Sequence, residues 1–313
     1  MKLLHSFIAL VCIGLFCAVN TNAQSNITFN PGSGDGTTLT WQRVNELLNT
    51  EFPGLGLGTS TLPLSGRYSP TLPTFTATIP DGITIGREAF GGLSTLVGVT
   101  FPSGSVTIAV AAFVSCIGLT SLVFNCDVTF SGNQAFEKCT GLTSVTFNGN
   151  VGDIMSWTFE DCNNLTSVVF NGIVTSMTTI NFGVFEGCTK LPSITIPASV
   201  ERIRDNAFRN CNSLATITFL RATAPTIENN AFDIGSSGSH SHNTNITAIN
   251  IPAGSTASYT AAINLETHAD KDFLISKLVE ASRPPRPYRK PGDVRIGGSV
   301  NIGKGSTLNI GKP

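Results

Sequence analysis

The 313 residues carry 12% charged side chains, about half the usual share, against a hydrophobic fraction of 41% and a net charge of −1. That balance excludes a long disordered chain and a bulk-basic nucleic-acid binder, and four His weigh against a His-rich metalloenzyme. Gly (31) and Phe (20), with abundant Ser, Thr and Asn, point to β structure and tight turns.

Residues 1–23 open on Lys2, run apolar from Phe7 to Val19 and close on Thr21-Asn22-Ala23. This pattern predicts a secretory signal peptide cut after Ala23. The apolar stretch is too short to span a membrane comfortably, so no transmembrane span is expected after cleavage. Neither Cys12 nor Cys17 follows the small residues of a lipoprotein signal. Residues 24–66 are Gly-, Ser- and Thr-rich with one predicted helix, Trp41–Asn49, capped by Thr40. They are expected to form an N-terminal cap region.

The stretch 67–253 repeats itself. Phe90, Phe113, Phe136, Phe159, Phe185, Phe208 and Phe232 are spaced 23, 23, 23, 26, 23 and 24 residues apart. Three positions after five of them stand Cys116, Cys139, Cys162, Cys188 and Cys211, with Leu93 in the first repeat. Six positions after the Phe comes a Leu, and then an alternating run such as Thr143-Ser144-Val145-Thr146-Phe147. Alternation at period two gives a short strand with one face in a core and one in solvent. A unit this small cannot bury its own apolar face, so neighbouring units must stack. Aliphatic residues five before the Phe (Ile85, Ile108, Ile154, Ile180, Ile203 and Ile227) supply the return side, and the third repeat departs with Phe130 and Ser131. The fold class is therefore a β-rich solenoid of about 23-residue repeats with a parallel sheet on one face and short helical caps.

Leu142-Thr143-Ser144-Val145-Thr146-Phe147, with Ala135-Phe136, Cys139 and Leu142, resembles the BspA-type leucine-rich repeats. Ile79–Phe90, Ile196–Val200 and Ile249–Ser255 carry the same likeness, which covers about residues 76–265. The resemblance implies a leucine-rich repeat protein that is secreted or at the cell surface, in a family of bacteria and some protist parasites tied to adhesion and protein binding. It implies a protein ligand, such as a host matrix or surface protein.

After Phe232 the register loosens through the polar loop 235–245 before a last strand, Ile246–Ile251. Residues 254–282 read as a C-terminal helical cap, with Leu274, Leu278 and Val279 partly in helical register. Residues 283–313 form a basic Pro/Gly-rich tail with seven basic residues and one acid, Asp293. The body, 24–282, holds 11 basic and 19 acidic residues. A basic tail on an acidic body suits attachment to a glycan or an anionic cell envelope, which is the first alternative role; a structural part in a surface assembly is the second.

The candidate chemistry is sparse. In-register strands lie about 4.7–4.9 Å apart while bridged Cβ atoms want roughly 3.8 Å, so the Cys row reads as apolar core thiols, not disulfides. No Cys-x-x-Cys pair, Gly-x-Ser-x-Gly elbow or Gly-rich phosphate loop occurs, and no catalytic residue, metal site or cofactor is expected. His240 and His242 form a His-x-His pair in a Gly/Ser loop, a weak metal signal. Glu160-Asp161 and Asp270/Asp272 read as solvated acids, and Asn26, Asn164 and Asn245 begin sequons. Two surfaces remain as partner-binding candidates. One is the solvent side of the strands: Ser121/Val123, Ser144/Thr146, Ser167/Val169, Ser193/Thr195 and Thr216/Thr218. The other is the turn edge, with Asp153, Trp157, Glu160, Arg202, Arg204 and Arg209.

Overall fold

The computed structural model describes residues 25–31, 37–52, 72–172, 174–228, 230–234, 241–265 and 271–281. The expected signal peptide, the basic tail and His240 lie outside these residues.

Two rows of short parallel strands, numbered along the chain, enclose the core. The first row takes the alternating run of each repeat. It comprises β1 (Ser25–Thr28), β3 (Phe75–Thr78) and β5 (Leu96–Thr100); then β7 (Ser121–Phe124), β9 (Ser144–Phe147) and β10 (Ser167–Phe170); then β12 (Ser193–Ile196), β14 (Thr216–Phe219), β18 (Ala248–Ile251) and β19 (Leu278–Glu280). Within each group the strands pair parallel, and equivalent residues face each other, as in Val145↔Leu122 and Val145↔Val168. The second row is the return side. It runs β2 (Thr38–Leu39), β4 (Ile83–Ile85), β6 (Ser105–Ile108) and β8 (Asp127–Phe130), and resumes with β11 (Thr179–Ile180), β13 (Arg202–Ile203) and β15 (Thr226–Ile227). Single bridges Val128↔Val151 and Ile154↔Ile180 span the interval. In the third repeat Phe130 pairs with Ile108, so it fills the return-side position although it stands six residues before its core Phe, where the other repeats have five. A small antiparallel pair, β16 (Asp233–Ile234) and β17 (Ser241–His242), follows the last core Phe.

The first row is interrupted twice, between β5 and β7 and between β10 and β12. The second interruption has a chemical cause. Thr143 N–H donates to Thr120 C=O, Thr166 N–H to Thr143, Ala215 N–H to Pro192 and Thr247 N–H to Ala215, each at 2.9 Å. The equivalent donor in the fifth repeat would be residue 192, and proline has no N–H to give. The three extra residues of the 26-residue spacing fall earlier, between Phe170 of β10 and Ile180 of β11.

Between the rows the core phenylalanines form one stack. Ring centroids are 4.9 Å apart for Phe90–Phe113, 5.0 Å for Phe113–Phe136 and 5.6 Å for both Phe136–Phe159 and Phe159–Phe185. Phe185–Phe208 and Phe208–Phe232 follow at 5.3 Å, and planes tilt by at most 15° along the whole stack. The solenoid register imposes this near-parallel geometry, and each buried ring contributes about 1.5–3 kcal/mol. A second stack joins Phe101, Phe124, Phe147 and Phe170.

The turn around each of the first six core Phe has two left-handed residues, two before and two after it. The pairs are Glu88/Gly92, Ala111/Ser115, Gln134/Lys138, Trp157/Asp161, Gly183/Gly187 and Asn206/Asn210, with φ between 51° and 75°. Glycine and asparagine take this conformation readily, whereas Ala, Ser, Gln, Lys and Trp are held there by the stack.

The ends are closed by side chains continuous with the core. Helix α1 (Trp41–Glu51) begins where Thr40 Oγ1 accepts the Arg43 N–H at 3.3 Å, and it buries Val44 and Leu48. Phe29 packs edge-on against Phe90 at 5.0 Å. At the other end Tyr259 of α2 (Thr256–Leu265) is buried, its ring 5.2 Å from Phe219 and its hydroxyl donating to Arg221 C=O at 2.7 Å. Helix α3 (Lys271–Ser276) follows, and there the sequence reading needs correction. Leu278 and Val279 do not continue a helix. They form β19, paired in register with Ile249 and Asn250 of β18, because a sheet edge offers the backbone partners that a frayed helix end lacks. Glu280 then returns to receive the Gly254 and Thr256 N–H groups at 3.1 and 3.0 Å, ahead of α2.

Candidate interaction surfaces

The strand ribbon is where the alternation placed it. Ser121, Val123, Val169, Ser193 and Thr195 are exposed, while Ser144, Thr146, Ser167, Thr216 and Thr218 are half-buried among their neighbours. Asn250 extends the row, its amide donating to Thr218 Oγ1 at 3.1 Å. Two of the exposed residues are apolar: Val123 keeps 44% of its surface open and Val169 37%. Where the sheet parts between β10 and β12, a cavity of about 370 Å³ opens. Val169, Phe170, Val174, Thr195, Pro197 and Leu220 lie in its wall, with Leu220 55% exposed at the rim.

The turn edge is more tightly knit than its composition suggests. Asp153 Oδ1 accepts the Thr178 and Thr179 N–H groups at 2.6 and 2.9 Å and so anchors the extra residues of the fourth repeat. Asp127 one repeat earlier and Asp81 three repeats earlier do the same, to Asn150 N–H and Ser105 N–H. Arg202 and Arg204 both reach Glu228 Oε1, at 3.3 and 3.5 Å, and the Arg204 guanidinium lies 3.9 Å over the Phe182 ring. Trp157 stays 37% exposed, its indole lying where a Gly183 side chain would be; a Cβ there would sit 2.5 Å from Trp157 Cδ1.

One position after the core Phe, Glu137, Glu160 and Glu186 stand in successive repeats, with Arg209 next. The Glu137 carboxylate is buried, accepts the Gln134 amide at 2.6 Å and is paired with Lys138. Glu186 lies 3.6 Å from Arg209, itself buried. Burial, then Glu137, Glu186 and Asp161, push the Glu160 carboxyl up to about 7, and burial also raises Glu186. The sequence reading treated Glu160-Asp161 as solvated acids; the common register after the Phe was the signal that joins Glu160 to Glu137 and Glu186.

The thiols are sealed. Cys116, Cys126, Cys139, Cys162, Cys188 and Cys211 are all buried and free. The His-x-His pair lies outside the described side chains, and among the described residues no group of three or more His, Cys, Asp or Glu is placed to hold a metal ion. Asn164, the first residue of a sequon, is half-buried and gives its amide to Thr140 C=O at 2.7 Å while accepting from Lys190 at 2.7 Å. No helix among the described residues is long and apolar enough to cross a membrane.

Stacked parallel strands, a Leu/Phe/Cys core register and closed ends define a leucine-rich repeat solenoid. The BspA type leucine rich repeat region matches in six copies over residues 71–178 and 171–267. The chain belongs to that family. Among solved structures it is similar to a leucine rich cell surface protein from Faecalibacterium prausnitzii A2-165, at 20% identity and a TM-score of 0.31, covering 60% of this chain and 62% of that one. It is also similar to a leucine-rich repeat protein from Bacteroides ovatus ATCC 8483, at 21% identity and a TM-score of 0.36, covering 66% of each chain. This chain thus spans somewhat less than two thirds of the length of either. No curated protein matches it.

Proposed function

We propose that the chain is a secreted or cell-surface protein-binding solenoid that acts without catalysis, holding its partner across the strand ribbon. The observation that carries this reading is the ribbon itself: a hydroxyl-rich face interrupted by Val123, Val169 and Leu220, with the cavity at the β10–β12 break beside the last two. A partner can lay a polar surface along the Ser and Thr rows and place an apolar side chain in the cavity. Host matrix or surface proteins are the expected partners, and the family membership and the sequence of residues 1–23 support an exported location.

The test measures binding of the chain from residue 24 onward to purified extracellular-matrix and cell-surface proteins by surface plasmon resonance. Saturable binding weakened about 10-fold or more by Val169→Asp or Leu220→Asp, at unchanged unfolding midpoint, supports the reading. Saturable binding indifferent to both substitutions removes the ribbon from it, and no saturable binder at all removes the reading. A second role rests on the charge asymmetry: the basic residues 283–313 would hold the acidic body to a glycan or anionic envelope. Release from cells by added salt, or by deletion of 283–313, distinguishes it.

A further inference from the structure

The glutamate row sets three carboxyl groups in one register. Glu137, Glu160 and Glu186 occupy the same position in three stacked repeats whose adjacent core rings are 5.6 Å apart on either side of Phe159. The two ends of the row have partners: Gln134 and Lys138 at Glu137, and Arg209 at Glu186. The charged groups that face Glu160 are Glu137 and Lys138 from the repeat before, Asp161 beside it and Glu186 from the repeat after, with Arg209 beyond that on Glu186. Lys138 is engaged with Glu137 and Arg209 with Glu186, so the middle carboxylate meets three acids and only the outer reach of the neighbouring bases.

We propose that the three stacked carboxylates form a proton-dependent latch on the third to fifth repeats, closed while the row holds a proton and loosened when it is fully ionised. Stacking along the solenoid buries the Glu160 carboxyl and sets it among the other acids, so separating the repeats restores its solvation and relieves the repulsion. The titration of Glu160 at about 7 agrees in direction. Its ordinary value of 4.5 applies once the chain unfolds. The folded state therefore binds the extra proton between about pH 4.5 and 7; its stabilising effect is complete below that window and lost as pH rises through it.

The experiment follows urea-unfolding midpoints of the chain from residue 24 to 313, and of Glu160→Gln, between about pH 5 and pH 8.5. The parent midpoint is expected to fall as pH rises, and Glu160→Gln to lose most of that fall and exceed the parent at the alkaline end. ¹³C-carboxyl NMR of the parent should show a glutamate titrating near neutrality that disappears in Glu160→Gln. In Glu186→Gln the same resonance should titrate lower by about one pH unit, because one like charge is gone. Every carboxyl titrating below about pH 5.5, or parent and Glu160→Gln midpoints that run parallel across the range, overturns the proposal. If Glu160→Gln does not fold, the Glu186→Gln shift decides alone.

Discussion

The thiol of Cys139 donates to the carbonyl of Phe113 one repeat back, 3.1 Å away, and the amide N–H of Cys116 shares that same carbonyl at 3.2 Å. The contact recurs from Cys116 to Phe90, Cys162 to Phe136, Cys188 to Phe159 and Cys211 to Phe185, at 3.0–3.3 Å. The slot therefore asks for more than a small apolar side chain: it takes one that can also reach a carbonyl's second lone pair. Cys139→Ala should cost about 1–2 kcal/mol in denaturant unfolding, from lost contacts and the lost bond together.

Burial raises every thiol in the row, Cys139 to about 12, and takes Cys126 to about 11. Thiolates do the attacking, so these six should react with a disulfide reagent near pH 8 only as fast as the protein opens. Counting released thiolate before and after adding guanidinium checks this. Rapid labelling in native buffer would contradict it.

Phe136 stands between two rings, Phe113 at 5.0 Å and Phe159 at 5.6 Å, whereas Phe232 ends the stack with Phe208 alone. Phe136→Ala should cost about 3–5 kcal/mol, and Phe232→Ala clearly less. Paired denaturation curves measure the difference.

Ala111 is held at φ 54° with only a methyl group to gain from packing. Ala111→Gly should stabilise by about 0.5–1 kcal/mol, the relief of the left-handed strain less the entropy that glycine loses on folding. Ala111→Val should destabilise. A change of the same sign in both would show that the turn conformation is not what the position selects.

Gly141 is constrained by space, since a Cβ there would lie 2.1 Å from the Ile117 carbonyl oxygen. Gly141→Ala should cost about 1–3 kcal/mol, read as a lowered urea midpoint. One repeat later Asn164 answers the same need differently, with an amide that bonds the Thr140 carbonyl. A glycan at Asn164 would replace one of the two hydrogens of that amide.

The rows of Phe, Cys, Leu and inward strand residues were legible because a fixed spacing repeats them. The return strands were legible only as an aliphatic position, since pairs such as Thr179–Ile180 and Arg202–Ile203 are too short to show alternation. The strands β1 and β2 were hidden in a Gly/Ser/Thr-rich stretch, because their pairing partners, Phe75–Thr78 and Thr84–Ile85, lie some 45 to 50 residues away in sequence. On the turn edge, residue type offers Arg202 and Arg204 only as candidate partner contacts. Their partner Glu228 belongs to the following repeat, and only the stacking brings it near.

The interruption at Pro192 has a mechanical consequence. Where the first row of strands parts between β10 and β12, the return side is bridged by Ile154↔Ile180, and Phe159 still stacks on Phe185. The first row gives no strand pairing across this seam and the return side gives a single bridge, so the two rows thin at the same joint. A pull along the axis should find its softest hinge there, dividing the molecule into blocks that yield one after the other.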